Sequence, residues 1–418
     1  MRSHRKFFSI LNLQTILLAC VLASPTVWAQ DEAEAEEDAT SKLSLEEVVV
    51  TATYRSTKLM DTAQSISALS ESFIEDMGAS DMNDLFQYVP GLNMTQAAAG
   101  NNRYVVRGVT SQTGESPLSI TASAVAVYLG EVPVTSSVGS SVQVNSTLFD
   151  IARVEVLKGP QGTLFGEGSQ GGMIRYIFNK PDATEFDANV NMGYSVMDKS
   201  SDNGHKADAT INLPLIENTL AFRLNMFDTS VAGWIDNNVP AEKDFNDSKA
   251  NGARASFLYT PNDALSIEGS WYHVNQESNG IMRSDENYVN DSGRTPGNPP
   301  RSSDKFDIYN LVFNYDMGWA NFTSSTSYTE RDMLFYHEYS RELVWLIDLV
   351  FGFNTAYDWP KDINSLESLL NRNRVITERF TQEFRLVSDE NKRFRYTAGV
   401  FYKDSDDLYD FYLKGYTT

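Results

Sequence analysis

The stretch RVEVLKGPQGTLFGEGSQGGMIRYIFNKP, Arg153 to Pro181, decides how this chain is read. Val154 and Val156, then Ile174, Tyr176 and Phe178, recur with period two, so both flanks read as strands. Gly159, Gly162, Gly166, Gly168, Gly171 and Gly172 lie between them, where positive φ or close backbone approach excludes other residues most strongly. Gly166, Gly168 and Gly171 spell G-x-G-x-x-G, yet a dinucleotide site needs a helix after that turn, and Met173 to Phe178 is rich in β-formers. Gly-Lys-Ser/Thr, the end of a phosphate-cradling loop, does not occur, so no nucleotide cofactor is expected.

Composition narrows the field further. The 418 residues can bury one or two ordinary cores. A formal net charge of −22 argues against nucleic acid and against anionic membrane surfaces as partners. The 20 Tyr and 23 Phe are many for an acidic soluble chain. Cys20 is the single cysteine, which rules out an intramolecular disulfide or a Cys-based zinc site. His4, His205, His273 and His337 have no metal-ligand spacing, and no metal or catalytic site is expected.

Residues 1–29 read as a secretory signal, with Arg2, Arg5 and Lys6 before an apolar run and Val27-Trp28-Ala29 as the cleavage site. Leu17-Leu18-Ala19-Cys20 resembles a lipobox, an alternative processing route. No other stretch approaches the ~20 apolar residues of a spanning helix. Any membrane crossing is therefore made by β-structure.

Residues 30–57 read as a flexible acidic arm carrying a short β-branched strip at about 46–53. Such a strip, with unpaired backbone groups, suits capture by another protein's sheet edge. Residues 58–181 read as a mixed α/β unit. Strands are expected at 65–69, 104–107, 124–129 and 132–134, and helices at 71–77 and 80–88, the second capped by Ser80 or Asp81.

The order VVVTA, YVPGLN (from Tyr88), RYVVRGV (from Arg103), VAVYLGEVPV (from Val125) and the Phe149 to Pro181 stretch resembles the plug domain of TonB-dependent outer-membrane receptors. Lys158 stands where Arg is common, and Glu167-Gly168 where small polar residues are more usual. The resemblance implies a plug inside a 22-stranded antiparallel barrel, and it makes Glu47, Val48, Val49, Val50, Thr51 and Ala52 the TonB-contacting box. It also implies uptake of a scarce nutrient complex drawing on the inner-membrane proton gradient through TonB. A ferric siderophore leads, with cobalamin, haem or oligosaccharide as alternatives; a passive porin or adhesin is the competing class.

The remaining residues support a barrel independently. Nine segments alternate with period two: 187–196, 205–213, 220–229, 250–259, 264–275, 305–315, 319–331, 378–388 and 393–403, with a tenth expected near Leu408. Leu220, Phe222, Leu224 and Met226 face one way and Ala221, Arg223 and Asn225 the other; Phe394, Tyr396, Ala398, Val400 and Tyr402 oppose Arg395, Thr397 and Gly399. Tight connections at 214–219, 260–263, 316–318 and 389–392 alternate with long ones at 197–204, 230–249, 276–304 and 332–377, as short periplasmic turns and long external loops do. Outer-membrane lipid is thus an expected partner. The apolar run at 343–353 is too short to span and reads as a packing loop or an apolar wall above the ligand. Nine or ten strands leave an open edge in hydrocarbon, so a longer natural protein is expected.

Two sets of site residues follow. Arg107 and Lys158 are expected to form a plug–barrel latch against barrel carboxylates. The apical turns 95–102, 110–119 and 135–141 are polar, making Gln96, Asn101, Asn102, Gln112 and Ser136 candidate ligand contacts.

Overall fold

A computed structural model describes residues 49–51, 54–55, 57–110, 123–137, 143–166, 168–198, 200–238, 241–280, 301–338, 368–389 and 392–416. The signal segment, residues 30–46 of the arm, Glu47, Val48, Ala52, Gln112 and the 343–353 run lie outside the described residues.

The first part is mixed. β1 (Val49–Val50) pairs with β2 (Thr57–Lys58) as a two-stranded ladder. β3 (Ile66–Ser70) leads into α1 (Glu71–Asp76), and α2 (Met82–Leu85) opens on Asp81, whose carboxylate takes the Asn83 amide while Asp84 returns the favour in a capping box. β4 (Leu92–Ala98) and β5 (Asn101–Val106) form a hairpin; β6 (Val125–Leu129) and β7 (Val132–Pro133) follow. The deciding stretch becomes β8 (Ile151–Lys158), a short α3 (Gly162–Phe165) and β9 (Gly172–Phe178). Strand rather than helix follows the last glycine, as the period-two pattern requires. Val154 faces Tyr176 and Val156 faces Ile174 in the β8–β9 ladder, all four buried. The sheet order is β3-β8-β9-β6-β7.

The second part is one antiparallel sheet of nine strands in simple succession, broken only by the small β13 (Asn237–Asn238) and β14 (Ala241–Glu242) hairpin within one connection. Its members are β10 (Asp187–Val196), β11 (Asn203–Ile216), β12 (Leu220–Val231), β15 (Ser248–Asn262), β16 (Leu265–Ser278), β17 (Ser302–Asp316), β18 (Ala320–Glu338), β19 (Ser368–Ser388) and β20 (Thr397–Tyr416). Strands β18 and β19 reach well into the expected loop between them, and β20 runs on past the expected end at 403. Leu408 lies within β20 rather than starting a tenth strand, and Phe394 and Tyr396 precede it. Once the chain leaves the apolar zone both faces are polar, so the alternation fades while the backbone ladder continues.

The two faces of this sheet differ. Phe227, Tyr272, Val274, Phe306 and Ile308 join Leu69, Tyr104, Val154 and Tyr176 in a single buried cluster, so one face is packed by the mixed unit. On the opposite face Trp271, Tyr309, Tyr328 and Phe380 are cross-strand neighbours in a row over β16 to β19. Tyr309, Tyr328 and Phe380 remain exposed, along with Phe257, Leu311, Tyr315 and Phe384. An apolar outer face with an aromatic row is what a lipid-facing barrel wall requires.

Candidate functional site

Residues 49–51 of the strip expected to hang free are held. Val50 is wholly buried, Val49 and Val50 pair with Lys58 and Thr57, and Thr51 donates its amide to Glu155 Oε1 at 2.9 Å. Arg153 and Arg175 donate to Thr51 Oγ1 at 3.1 and 3.2 Å, and Arg175 also reaches the Thr51 carbonyl. Three residues on, Tyr54 packs against the Phe165 ring at a tilt and lies under the Arg385 guanidinium, 3.5 Å from the ring centroid. Arg55 donates to the carbonyls of Ser388 and Tyr396 at the end of the β19–β20 hairpin. At residues 49–50 the β-edge is therefore paired with β2, and the polar groups of Thr51 are satisfied by residues far along the chain that no local pattern reveals.

Arg107 and Lys158, the expected latch, sit side by side. Arg107, exposed on a turn at φ 51°, donates to Ser65 Oγ at 2.6 Å. Lys158 lies beside it, its ammonium pKa lowered by desolvation and by the Arg107 charge. Among the described residues neither meets a barrel carboxylate, and the Lys158 amide donates to the Ser65 carbonyl beside β3.

Other pairs cross from plug to wall. Asp150, at φ 55° where Asp is tolerated better than most residues, accepts from Arg223 on β12 at 2.7 Å and from Arg254 on β15 at 3.2 Å. Arg254 also sits over the Phe178 ring. Glu131, in the β6–β7 turn, accepts from Arg175 and, through its second oxygen, from Arg385 on β19 at 3.1 Å; Arg385 also pairs with Glu383. Burial pushes the Glu131 carboxyl up, but Arg175 and Arg385 outweigh it and leave the pKa at about 2. Beyond, Arg379 donates to the Thr135 carbonyl at 2.9 Å, and Ser137 Oγ to Asp407 at 2.7 Å. A signal for these was present: Arg223, Arg254, Arg379 and Arg385 sit in membrane-length strands, where desolvation demands a partner.

The expected ligand residues are mostly engaged within the plug. The Gln96 side chain accepts from Asn83. Asn102 is wholly buried, donating to the Gln143 carbonyl at 3.0 Å, and the Gln143 amide returns to the Asn102 carbonyl. Ser136, also buried, donates its amide to Gln143 Oε1. Gln143, missed in the sequence, thus staples two apical segments together. The β4–β5 tip does not project freely: Ala98, Ala99 and Gly100 are buried, the Ala99 amide donates to Ser278 Oγ, and Asp304, bidentate with Arg331, crowds Gly100. Asn101 is half-buried beside them.

Residues 58–173 match the family model described as TonB-dependent Receptor Plug Domain. With the fold above, this defines the class of the first part: residues 58–173 are a TonB-dependent receptor plug domain, and the strands that follow share the fold of solved outer-membrane receptors. It is similar to the pesticin receptor of Yersinia pestis, at 27% identity over 230 residues, covering 54% of this chain and 31% of that protein. It is also similar to the ferripyoverdine receptor of Pseudomonas aeruginosa, at 29% identity over 160 residues, covering 38% of this chain and 17% of that one. The crystal structure of the ferric yersiniabactin uptake receptor from Yersinia pestis superposes with a TM-score of 0.64 at 19% identity, covering 83% of this chain and 50% of that one. The chain therefore spans half or less of the relatives it matches. The matched family is one of receptors rather than enzymes.

Proposed function

We propose that the protein to which this chain belongs imports a ferric siderophore across the outer membrane, powered by contact between TonB and residues 47–52. In this reading residues 1–29 direct secretion, 30–57 form the arm and box, 58–181 the plug and 182–418 the barrel wall. The protein is a transporter and not an enzyme. The observation that carries the reading is the clasped strip: a segment suited to strand capture is tied through Arg175 and Glu131 to the wall that the plug packs against. A passive pore has no use for such a connection. The cargo class follows the relatives, whose names specify ferripyoverdine, catecholate siderophores and ferric yersiniabactin. Buried ion pairs suit a latch, since breaking one leaves an uncompensated charge at a cost of about 3–5 kcal/mol, which holds until force is applied.

Deleting residues 46–53 from the full receptor tests this. The expected result is loss of siderophore-dependent uptake with siderophore binding retained; unchanged uptake would reject it. Growth under iron starvation with and without the receptor separates a siderophore from cobalamin, haem or oligosaccharide.

A further inference from the structure

Arg175 on β9 is 5% exposed and divides its guanidinium between two segments far apart in sequence. Nη1 donates to the Thr51 carbonyl at 3.3 Å and to Thr51 Oγ1 at 3.2 Å; Nε donates to the Gly130 carbonyl at 2.9 Å; Nη2 pairs with Glu131. Glu131 passes the connection to Arg385 of β19. From there β7 runs into Thr135 and Ser137, which β19 and β20 hold through Arg379 and Asp407. One planar fork therefore fastens the strip, the β6–β7 turn and, through one carboxylate, the wall.

We infer that Arg175 is the positioning residue that makes retention of the strip at Thr51 and seating of the β6–β7 hairpin on β19 a single coupled event. This rests on the transport reading only for its biological use, since the coupling itself is a property of the contacts. The guanidinium is rigid, so its donors cannot be re-aimed one at a time. Removing Glu131 from the fork frees it to rotate and loosens Thr51; removing Thr51 loosens the hairpin, because coupling between two contacts is reciprocal. A pull on the strip is then delivered to the Gly130–Glu131 turn. That turn borders a cavity of about 560 Å³ between plug and wall, with Tyr272, Asn310 and Thr323 on its wall side. Hairpin displacement widens this cavity on its β16–β18 side.

The test uses the full receptor carrying Val50→Cys, a wholly buried position, labelled by a maleimide in the absence of cargo and of TonB. Val156→Cys in a parallel background reports whether the plug sheet itself has opened. Glu131→Gln is the decisive variant, because Glu131 makes no hydrogen bond to Thr51. Expected: Glu131→Gln and Arg175→Met each speed Val50→Cys labelling by about tenfold, within the usual range of coupling between sites, and the double variant is no faster than Arg175→Met. Arg175→Lys, which keeps the charge but not the fork, lies between. Val156→Cys stays protected throughout. If Glu131→Gln leaves Val50→Cys protected while Arg175→Met exposes it, or if neither exposes it, the coupling is overturned. Labelling needs neither siderophore nor energised membrane, so this outcome is independent of the deletion experiment.

Discussion

Arg254 reaches Asp150 at 3.2 Å from the barrel wall, the two side chains 5% and 1% exposed, and with Arg223 it places two barrel cations on one plug carboxylate. Asp150→Ala leaves both arginines without their shared acceptor at the interface. The expected cost is about 3–5 kcal/mol, read as loss of hydrogen-exchange protection in β8 and β9 under mild urea. Asp332→Ala is the control: its partner Arg374 is 38% exposed, and its loss should cost under about 1 kcal/mol. Equal effects from the two would contradict the burial argument.

Glu131 predicts an acid-sensitive hairpin. Its pKa in the folded protein, about 2, lies below its ordinary value of 4.5, so its contribution is complete above pH 4.5 and is lost as pH falls toward 2. Protection of the β6–β7 amides, taken relative to their intrinsic exchange rate at each pH, should fall across that window. Glu131→Gln should exchange faster at pH 7 and lose this pH dependence.

Asp81 has the opposite sign. Burial, then the neighbouring Asp84 charge, raises its pKa to about 6, against hydrogen bonds from Asn83 and Asn145 that lower it. The folded state therefore holds this proton more tightly than the unfolded chain, and stability falls as pH rises from about 4 through 6. Asn caps helices as well as Asp, so Asp81→Asn should raise the plug's thermal midpoint at pH 7 and flatten its dependence between pH 4 and 6. A lower midpoint at pH 7 would count against it.

Gly172 and Gly162 should behave differently. A Cβ on Gly172 would lie 2.5 Å from the Leu157 carbonyl oxygen, a backbone atom of the paired strand, whereas one on Gly162 would meet nothing within 4 Å. Gly172→Ala should destabilise the plug by about 1–3 kcal/mol through overpacking. Gly162→Ala, in α3, should be neutral or slightly stabilising. Thermal melts of the two variants decide the matter.

Much of the fold was legible because it is periodic. The strand Asp187–Val196 runs as the alternation of its residues demands, and Ile174 and Tyr176 pair with the valines picked out beside them. The loop-facing ends of β18 to β20 were not legible, since a ladder with polar residues on both faces carries no hydrophobic rhythm. The plug-to-wall ion pairs seen among the described residues were not legible for a related reason. Arg107 and Lys158 carry the same charge as Arg223 and Arg254, and only the packed fold tells which cation reaches a carboxylate.

By itself, then, the sequence determined the strands, the succession of the barrel wall and the glycines of the plug, because backbone geometry and the two-residue repeat act over a few neighbours. The tertiary structure alone decided that Thr51 is gripped by Glu155, Arg153 and Arg175, that Asp150 and Glu131 are the plug's anchors, and that Asn102 and Ser136 are buried beside Gln143. Those contacts join residues tens to hundreds of positions apart. Their strength comes from exclusion of water, which exists only after the plug is seated against the wall.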